Sequence, residues 1–407
     1  MKLFTSAALT AHGTVAIAAT TSLLPALAAA SPSPSLAYRG VDWSSVAVEE
    51  AAGVVYKTTA GQPVQLETLL AASGVNMVRQ RLWVHPTANS GAYNLSYNLA
   101  LARRARAAGM AVYLDLHLSD TWADPGHQAI PAAWPHTREG LTARLFNYTR
   151  DVCDAFMDAY ERDNDADHGS DTGGGGGSNN GRNNTTQPPP LSIISLGNEI
   201  TAGLLWPVGT TKSYETISAL LHAASAGVKA SRLAPPPRIM IHLDNGWSWS
   251  TQQSFYSRVL QDGKNSGRNN NDAPSLTTAD FDTMGVSYYP FYNAGATLAS
   301  LRTSLENMAS TWGKNLVVAE TDWPTSCPSP RSAFPNDAKG IPFSAAGQAA
   351  WVQAVAAVVA AVPGGRGLFY WEPAWVHNAN LGSSCADNLM VSSSGQALSS
   401  LSVFSQI

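Results

Sequence analysis

Residues 191–200 read LSIISLGNEI, and this stretch decides the fold. The run is apolar, of strand length, and stops abruptly at Gly197, Asn198 and Glu199. It reads as a buried strand that delivers a carboxylate into a cleft. Residues 316–323, LVVAETDW, repeat the arrangement: a second apolar run stops at Glu320, and the flanking Trp323 suggests a site that holds flat apolar faces. Two glutamates at the ends of two buried strands are what glycoside hydrolysis needs, one as acid and base, the other as nucleophile. The plainer alternative is that each merely caps its strand in a surface ion pair, because carboxylates at strand ends are common in parallel-sheet proteins.

Working outward, strand-like and helix-like patterns alternate along the chain. Strands are expected at 38–46, 75–84, 111–118, 191–199, 238–245, 281–289, 315–322 and 367–372. Helical patterns at 64–73, 95–108, 141–161, 214–231, 252–261, 298–312 and 345–362 separate them, with a short eighth at 396–404. Eight strand-then-helix units within roughly 250 to 400 residues argue for an α/β fold, a single (β/α)8 TIM barrel. The chemistry of such barrels gathers on the loops after the strand ends. Ten tryptophans, at 43, 83, 122, 134, 206, 247, 249, 323, 371 and 375, fall at strand ends or in those loops, leaving only Trp312 and Trp351 on helices. That bias favours a cleft lined with rings, and aromatic faces suit the apolar faces of sugars.

Composition narrows the partners. Charged residues are 13% of the 407 and the formal net charge is -4, so no nucleic-acid or acidic-membrane footprint exists and a neutral partner is expected. The first 30 residues have the layout of a signal peptide: Lys2, an Ala/Leu-rich body, and small residues at Ala26, Ala28 and Ala30. No later run reaches the roughly 20 apolar residues a membrane span requires. The mature chain, 31–407, is therefore expected to be one secreted catalytic domain. Asn94, Asn147, Asn183 and Asn184 head glycosylation sequons, in keeping with secretion. Cys327 and Cys385 both lie in loops after late strands and are the expected disulfide, leaving Cys153 as a small buried residue. Residues 163–190, DNDADHGSDTGGGGGSNNGRNNTTQPPP, are low in complexity and without periodicity, so a disordered excursion on the side away from the active face is expected. Residues 263–274 are a milder case.

His117 and His242 stand at strand ends, where a metal is the sharp reading. With no HxH pair, HExxH or Cys/His cluster in the sequence, hydrogen bonding to sugar hydroxyls is the expected role, and neither metal nor cofactor is expected.

Taken in order, YRGVDWSSV, VRQRLWVHP, LHLSDTWADPGHQ, LGNEITAGLLWP, HLDNGW, SYYPFY, AETDWP and FYWEPAW resemble the arabinogalactan endo-β-1,4-galactanases, glycoside hydrolase family 53. The resemblance runs from about Tyr38 to Phe404, interrupted by the excursion. It implies a retaining clan A barrel, secreted in fungi, that cuts β-1,4-galactan inside the chain; the neutral partner is then this polysaccharide, and the chain is expected to be a monomer. Carried over by position, it implies Glu199 as acid/base and Glu320 as nucleophile. Asn198 would meet the sugar 2-hydroxyl, Arg79 would keep Glu320 ionised, and Tyr289 would donate to it, with Tyr288 the weaker alternative on strand alternation. Asp120, Trp122, Asp124, Asp244, Trp323, Trp371 and Trp375, with the two histidines, are the further candidates for substrate binding. Some bacterial relatives carry calcium in the last loop, but Asp387 stands alone there. A clan A hydrolase for mannan or cellulose and a carbohydrate-binding pseudoenzyme are the competing readings; the presence of both glutamates argues against the second.

Overall fold

Residues 35–87, 91–169, 187–265 and 274–407 are described by the structure, a computed structural model. The expected leader, the sequons at Asn183 and Asn184, and positions 170–186 of the excursion lie outside them. Eight parallel strands close into a barrel: β1 (Tyr38–Asp42), β2 (Met77–Leu82), β3 (Ala111–Leu116), β4 (Ile193–Ser195), β5 (Arg238–Leu243), β6 (Thr283–Ser287), β7 (Asn315–Thr321) and β8 (Gly365–Tyr370). Each pairs with its neighbours in sequence, and β1 pairs with β8, Val41 opposite Tyr370, to leave no free edge. The (β/α)8 expectation is met.

Strand alternation sorts side chains into two cores. Val78, Val112, Leu114, Ile194, Ile241 and Val318 face outward and join the layer between barrel and helices. Met77, Tyr113, Ile193, Met240, Val317, Ala319 and Phe369 fill the barrel itself. Phe369 fits because Gly40 stands opposite, where a Cβ would lie 2.1 Å from the ring. Two residues further along the same inward rows come Arg79, Asp115, Ser195 and His242, all buried. The barrel is apolar at its lower end and charged at its mouth.

One irregularity decides which way a key residue points. Val286 pairs with Val318, but the next partners are Ser287 and Glu320, so Ala319 is an extra residue in β7. Counted from inward-facing Val317, plain alternation would send Glu320 outward; the bulge at Ala319 turns it into the barrel. From there the count resumes. Thr321 faces the helix layer, where its Oγ1 accepts from Trp351 Nε1 at 2.9 Å, and Asp322 faces the mouth.

The main helices are α1 (Val46–Ala51), α2 (Leu66–Ala72), α3 (Leu95–Ala107), α4 (Arg138–Gly169), α5 (Tyr214–Lys229), α6 (Trp249–Asn265), α7 (Leu298–Trp312) and α8 (Ala345–Ala361). Asn94, Ser213, Thr297 and Ser344 cap α3, α5, α7 and α8 by accepting from a backbone N–H one turn in, each worth about 1 kcal/mol.

Several expectations are corrected. β1 stops at Asp42 because Val46 and Glu49 turn into α1, which buries both. Only Ile193–Ser195 of the fourth stretch stays in the ladder. The eighth helix is a 3-10 segment, Ser399–Ser405, and Trp249 opens α6 rather than lying in a loop. The excursion begins later than its composition suggests: α4 continues to Gly169, and Asp163 is bound by Arg103 and Arg106 at 2.7 and 2.8 Å. The chain returns with Pro189 and Leu191 beside Tyr38 and Asn76, at the end of the barrel away from the mouth. Cys327 and Cys385 form a disulfide and Cys153 is free and buried.

Candidate active site

A cavity of about 620 Å³ opens at the C-terminal ends of the strands, and Glu199 and Glu320 both line it. Glu320 arrives on the bulged end of β7, 5% exposed. Its Oε1 lies 2.8 Å from Arg79 Nη2, and its Oε2 accepts from the Tyr289 hydroxyl at 2.7 Å. Tyr288, next along, points the other way and donates to Ala296 O, so alternation chooses Tyr289. Glu199 arrives differently. The chain leaves β4 through Gly197 (φ 107°), where a Cβ would lie 2.6 Å from Ile200 Cγ2, and Glu199 itself is left-handed (φ 49°). A non-glycine residue there costs of order 1–3 kcal/mol, a strain that clusters at functional sites. Leu118, Asn245 and Glu372 turn out of β3, β5 and β8 in the same way.

Arg79 is the hub. It is 1% exposed, bonds Asp42 Oδ2 at 2.7 Å and Asp115 Oδ2 at 2.9 Å, and donates to Asn198 Oδ1 at 2.8 Å. Asn198 Nδ2 donates to Ala123 O at 2.7 Å, and its backbone carbonyl accepts from Gln128 at 2.8 Å, so the amide is fixed with one N–H left to offer. Burial opposes charge on both glutamates. For Glu320 the Arg79 cation and the Tyr289 hydroxyl pull back, and its carboxyl is raised only part of the way. For Glu199 the charges of Glu320 and Asp244 add to burial, and its carboxyl is lifted well above the usual range. Of the two, Glu199 holds its proton longer.

The other sequence candidates separate into those at the cavity and those behind it. Trp122, Asp124, Asp244, Trp371 and Trp375 line it, with Trp247, Asn245 and Tyr292. Asp124 also holds its own turn, accepting from Gly126 N at 2.7 Å and meeting His127 Nδ1 at 2.8 Å. His117 borders the cavity, but Trp83 Nε1 and Ala123 N both donate to its Nδ1, at 3.2 and 3.1 Å. The ring proton is therefore on Nε2, 3.1 Å from Asp115, and no nitrogen is left for a sugar. His242 is fully buried below the cavity, bonded to Ser287 Oγ at 2.9 Å, with burial and then Arg79 pushing it down to about 3. Asp120 staples two loops by accepting from His85 N and Ala132 N. Trp323 is 1% exposed, stacked on Trp351 at 4.9 Å in the helix layer, because it stands one residue beyond inward-facing Asp322. The expected sugar contacts of His117, His242, Asp120 and Trp323 are thus replaced by structural ones.

Asp322 is the residue the sequence reading passed over. It is 1% exposed and lines the cavity, and burial, then the charge of Glu320, lifts its carboxyl well above the usual range. Its signal was its place, two residues after Glu320. Asp115 had one too: a carboxylate within YLDLH must find a buried cation. Trp206 lies outside this cavity, in a neighbouring groove with Pro207. Of the described sequons, Asn94 spends its Oδ1 capping α3, and Asn147 is exposed in mid-helix with its Thr149 hydroxyl buried against Ala224 O. Among the described residues no group of three His, Cys, Asp or Glu side chains is arranged to hold a metal, and no helix is long and apolar enough to cross a membrane.

The sequence profile of glycosyl hydrolase family 53 matches residues 38–162 and 185–404. The arabinogalactan endo-beta-1,4-galactanase of Thermothelomyces thermophilus is 54% identical over 373 residues, 92% of this chain and 100% of that one. That of Aspergillus niger is 49% identical over 388 residues, 95% and 98% of the two chains. Among solved structures, a fungal beta-1,4-galactanase superposes with a TM-score of 0.81 at 53% identity, over 92% of this chain and 100% of that one. The GH53 catalytic domain from Ignisphaera aggregans gives 0.70 at 26% identity, over 92% and 98%.

Proposed function

The chain belongs to glycosyl hydrolase family 53, and from that premise we propose that it is a secreted, monomeric endo-β-1,4-galactanase that cuts inside galactan chains with retention. The leader to about Ala30 is removed, and 31–407 is one catalytic domain that tolerates its Gly/Asn-rich insertion. The observation that carries the reading is the unequal treatment of two carboxyls lining one cavity: Glu320 has a guanidinium and a hydroxyl donor, while Glu199 has neighbouring negative charge.

In the first step Glu320 attacks the anomeric carbon as Glu199 gives its proton to the departing glycosidic oxygen. In the second, Glu199 takes a proton from water, whose oxygen displaces Glu320 from the same carbon. The free N–H of Asn198 meets the sugar 2-hydroxyl. Asp322 bonds another hydroxyl, and Trp122, Trp371 and Trp375 carry the sugar faces.

Product profiles on linear β-1,4-galactan, mannan and carboxymethyl cellulose test the substrate, with the anomer of the first product read by NMR. Short β-galactan oligosaccharides released with retention are expected. Preference for mannan or cellulose overturns the substrate; an initial α-product overturns the mechanism.

A further inference from the structure

Arg81 leaves β2 on the same side as Arg79; Asp42 lies near both, 3.9 Å from Arg81 Nη1, but the close partners of the Arg81 guanidinium are its own. It is 1% exposed, with Nη1 2.5 Å from Glu372 Oε1 and Nη2 donating to Ser45 Oγ at 2.7 Å. Three rings surround it: its Cζ lies 4.2 Å from the Tyr93 centroid, 4.6 Å from Trp122 and 5.0 Å from Trp375. The two indoles are nearly parallel, 23° apart, with centroids separated by only 6.1 Å. That separation is too short for the cation to lie between them, so it sits beneath both. Glu372, left-handed at φ 43°, is held by Ser45 N and Oγ at 3.0 and 2.7 Å, and immediately follows Trp371. The ion pair thus joins β2 to the loop that carries Trp371 and Trp375, and the face of the same guanidinium meets Trp122 from the loop after β3.

We infer that Arg81, locked by Glu372, is a positioning residue for the sugar-binding wall: it fixes the indoles of Trp122 and Trp375 in the orientation that a polysaccharide chain rests upon. Arg79 prepares the carboxylates and Arg81 the aromatic surface. The inference rests on reading the cavity as a polysaccharide cleft. Arginine suits the place because its planar fork holds two partners while its face covers rings, which a lysine cannot do together.

The test compares wild type with R81M, R81K and E372Q, on whichever of the three polymers the wild type cleaves. Cleavage of a polymer other than galactan overturns the substrate reading and leaves this test intact. R81M should raise KM about tenfold with kcat within about threefold of wild type, a loss of binding shared by ground and transition states. R81K should recover part of the KM, and E372Q, which preserves size and can still accept from Ser45, should raise KM severalfold. Quenching of tryptophan fluorescence by oligosaccharide should weaken in parallel when each change is placed in an E320A background. If R81M does not fold, E372Q decides. An unchanged KM in E372Q, or a loss confined to kcat, overturns the inference.

Discussion

Arg79 Nη2 stands 2.8 Å from both Glu320 Oε1 and Asn198 Oδ1, so one nitrogen binds the end of β7 to the turn that follows β4. The same guanidinium neutralises Asp42 and Asp115. Replacing it with methionine takes from three buried carboxylates their nearest cation, and breaking such pairs costs about 3–5 kcal/mol. Arg79→Met should lower the thermal midpoint sharply and abolish turnover in the fraction that remains folded. Calorimetry beside an activity assay checks both, and a variant of wild-type stability would remove Arg79 from the centre of the network.

Stereochemistry separates the roles of the two glutamates. If Glu320 is the nucleophile, Glu320→Ala should lose roughly 10⁴-fold or more in kcat on any substrate, as losses of catalytic nucleophiles do. Glu199→Ala should keep much of its activity toward an aryl glycoside whose phenolate departs unprotonated. Azide should then accelerate it and give the β-galactosyl azide, because azide attacks the glycosyl-enzyme without a general base. From Glu320→Ala any azide product should be α. The opposite pair of products would exchange the two assignments.

Asp244 should contribute to the position of the alkaline limb of the pH profile. In the proposed mechanism Glu199 must be protonated at the start, so loss of its proton should close the alkaline side, and protonation of Glu320 should close the acid side. The negative charge of Asp244 raises the Glu199 carboxyl, after burial and Glu320. Asp244→Asn removes that charge, lowers the Glu199 pKa, and should move the alkaline limb of kcat/KM to lower pH. The position of the limb is the readout, whatever the height of the profile. A shift to higher pH would contradict the electrostatics described.

Trp323 and Trp371 test the two faces of the barrel wall. Trp323→Ala empties a stacked core position and should cost about 3–5 kcal/mol with KM unchanged. Trp371→Ala, at the cavity, should raise KM severalfold and leave the unfolding midpoint nearly where it was. Denaturant titrations and initial rates distinguish them, and the converse pattern would reverse their placement.

The Cys327–Cys385 bridge closes a separation of 58 residues, for which loop entropy gives about 4 kcal/mol, reduced by any strain in the native state. The Cys327→Ser/Cys385→Ser pair should lower the midpoint accordingly. Peptide mapping without reduction that found Cys153 in a bridge would overturn the pairing.

The sequence was legible where the proposed roles and strand position coincide. Glu199, Glu320, Asn198 and Arg79 stand at or near strand ends within motifs, and alternation separated Tyr289 from Tyr288 correctly. It misplaced Trp323 because the apolar run ending in AETDW gives no sign of which faces point inward: β-branched and apolar residues occupy both sides of a doubly buried strand. His117 and His242 looked like ligands for sugar because a histidine at a strand end does not disclose what satisfies its nitrogens. The Arg81 and Glu372 partnership spans 291 residues, and no local pattern connects two such positions. Composition marked the excursion but misjudged its start, because the first part of α4's extension is held by Asp163 to Arg103 and Arg106 rather than by apolar residues.

The extra residue at Ala319 gives β7 two reading frames, one for the packing of the barrel's lower half and one for its mouth. A side chain in the lower frame can be exchanged for another of similar volume without turning Glu320, because the frame is reset above it. Loss of a single residue between Val317 and Glu320 is a different event. The strand would keep its ladder and its apolar character, yet present its carboxylate to the helices, so the shortened chain could remain folded while its mouth lost the group proposed to attack the sugar. In this strand the count of residues, more than their kind, is what a lineage must preserve.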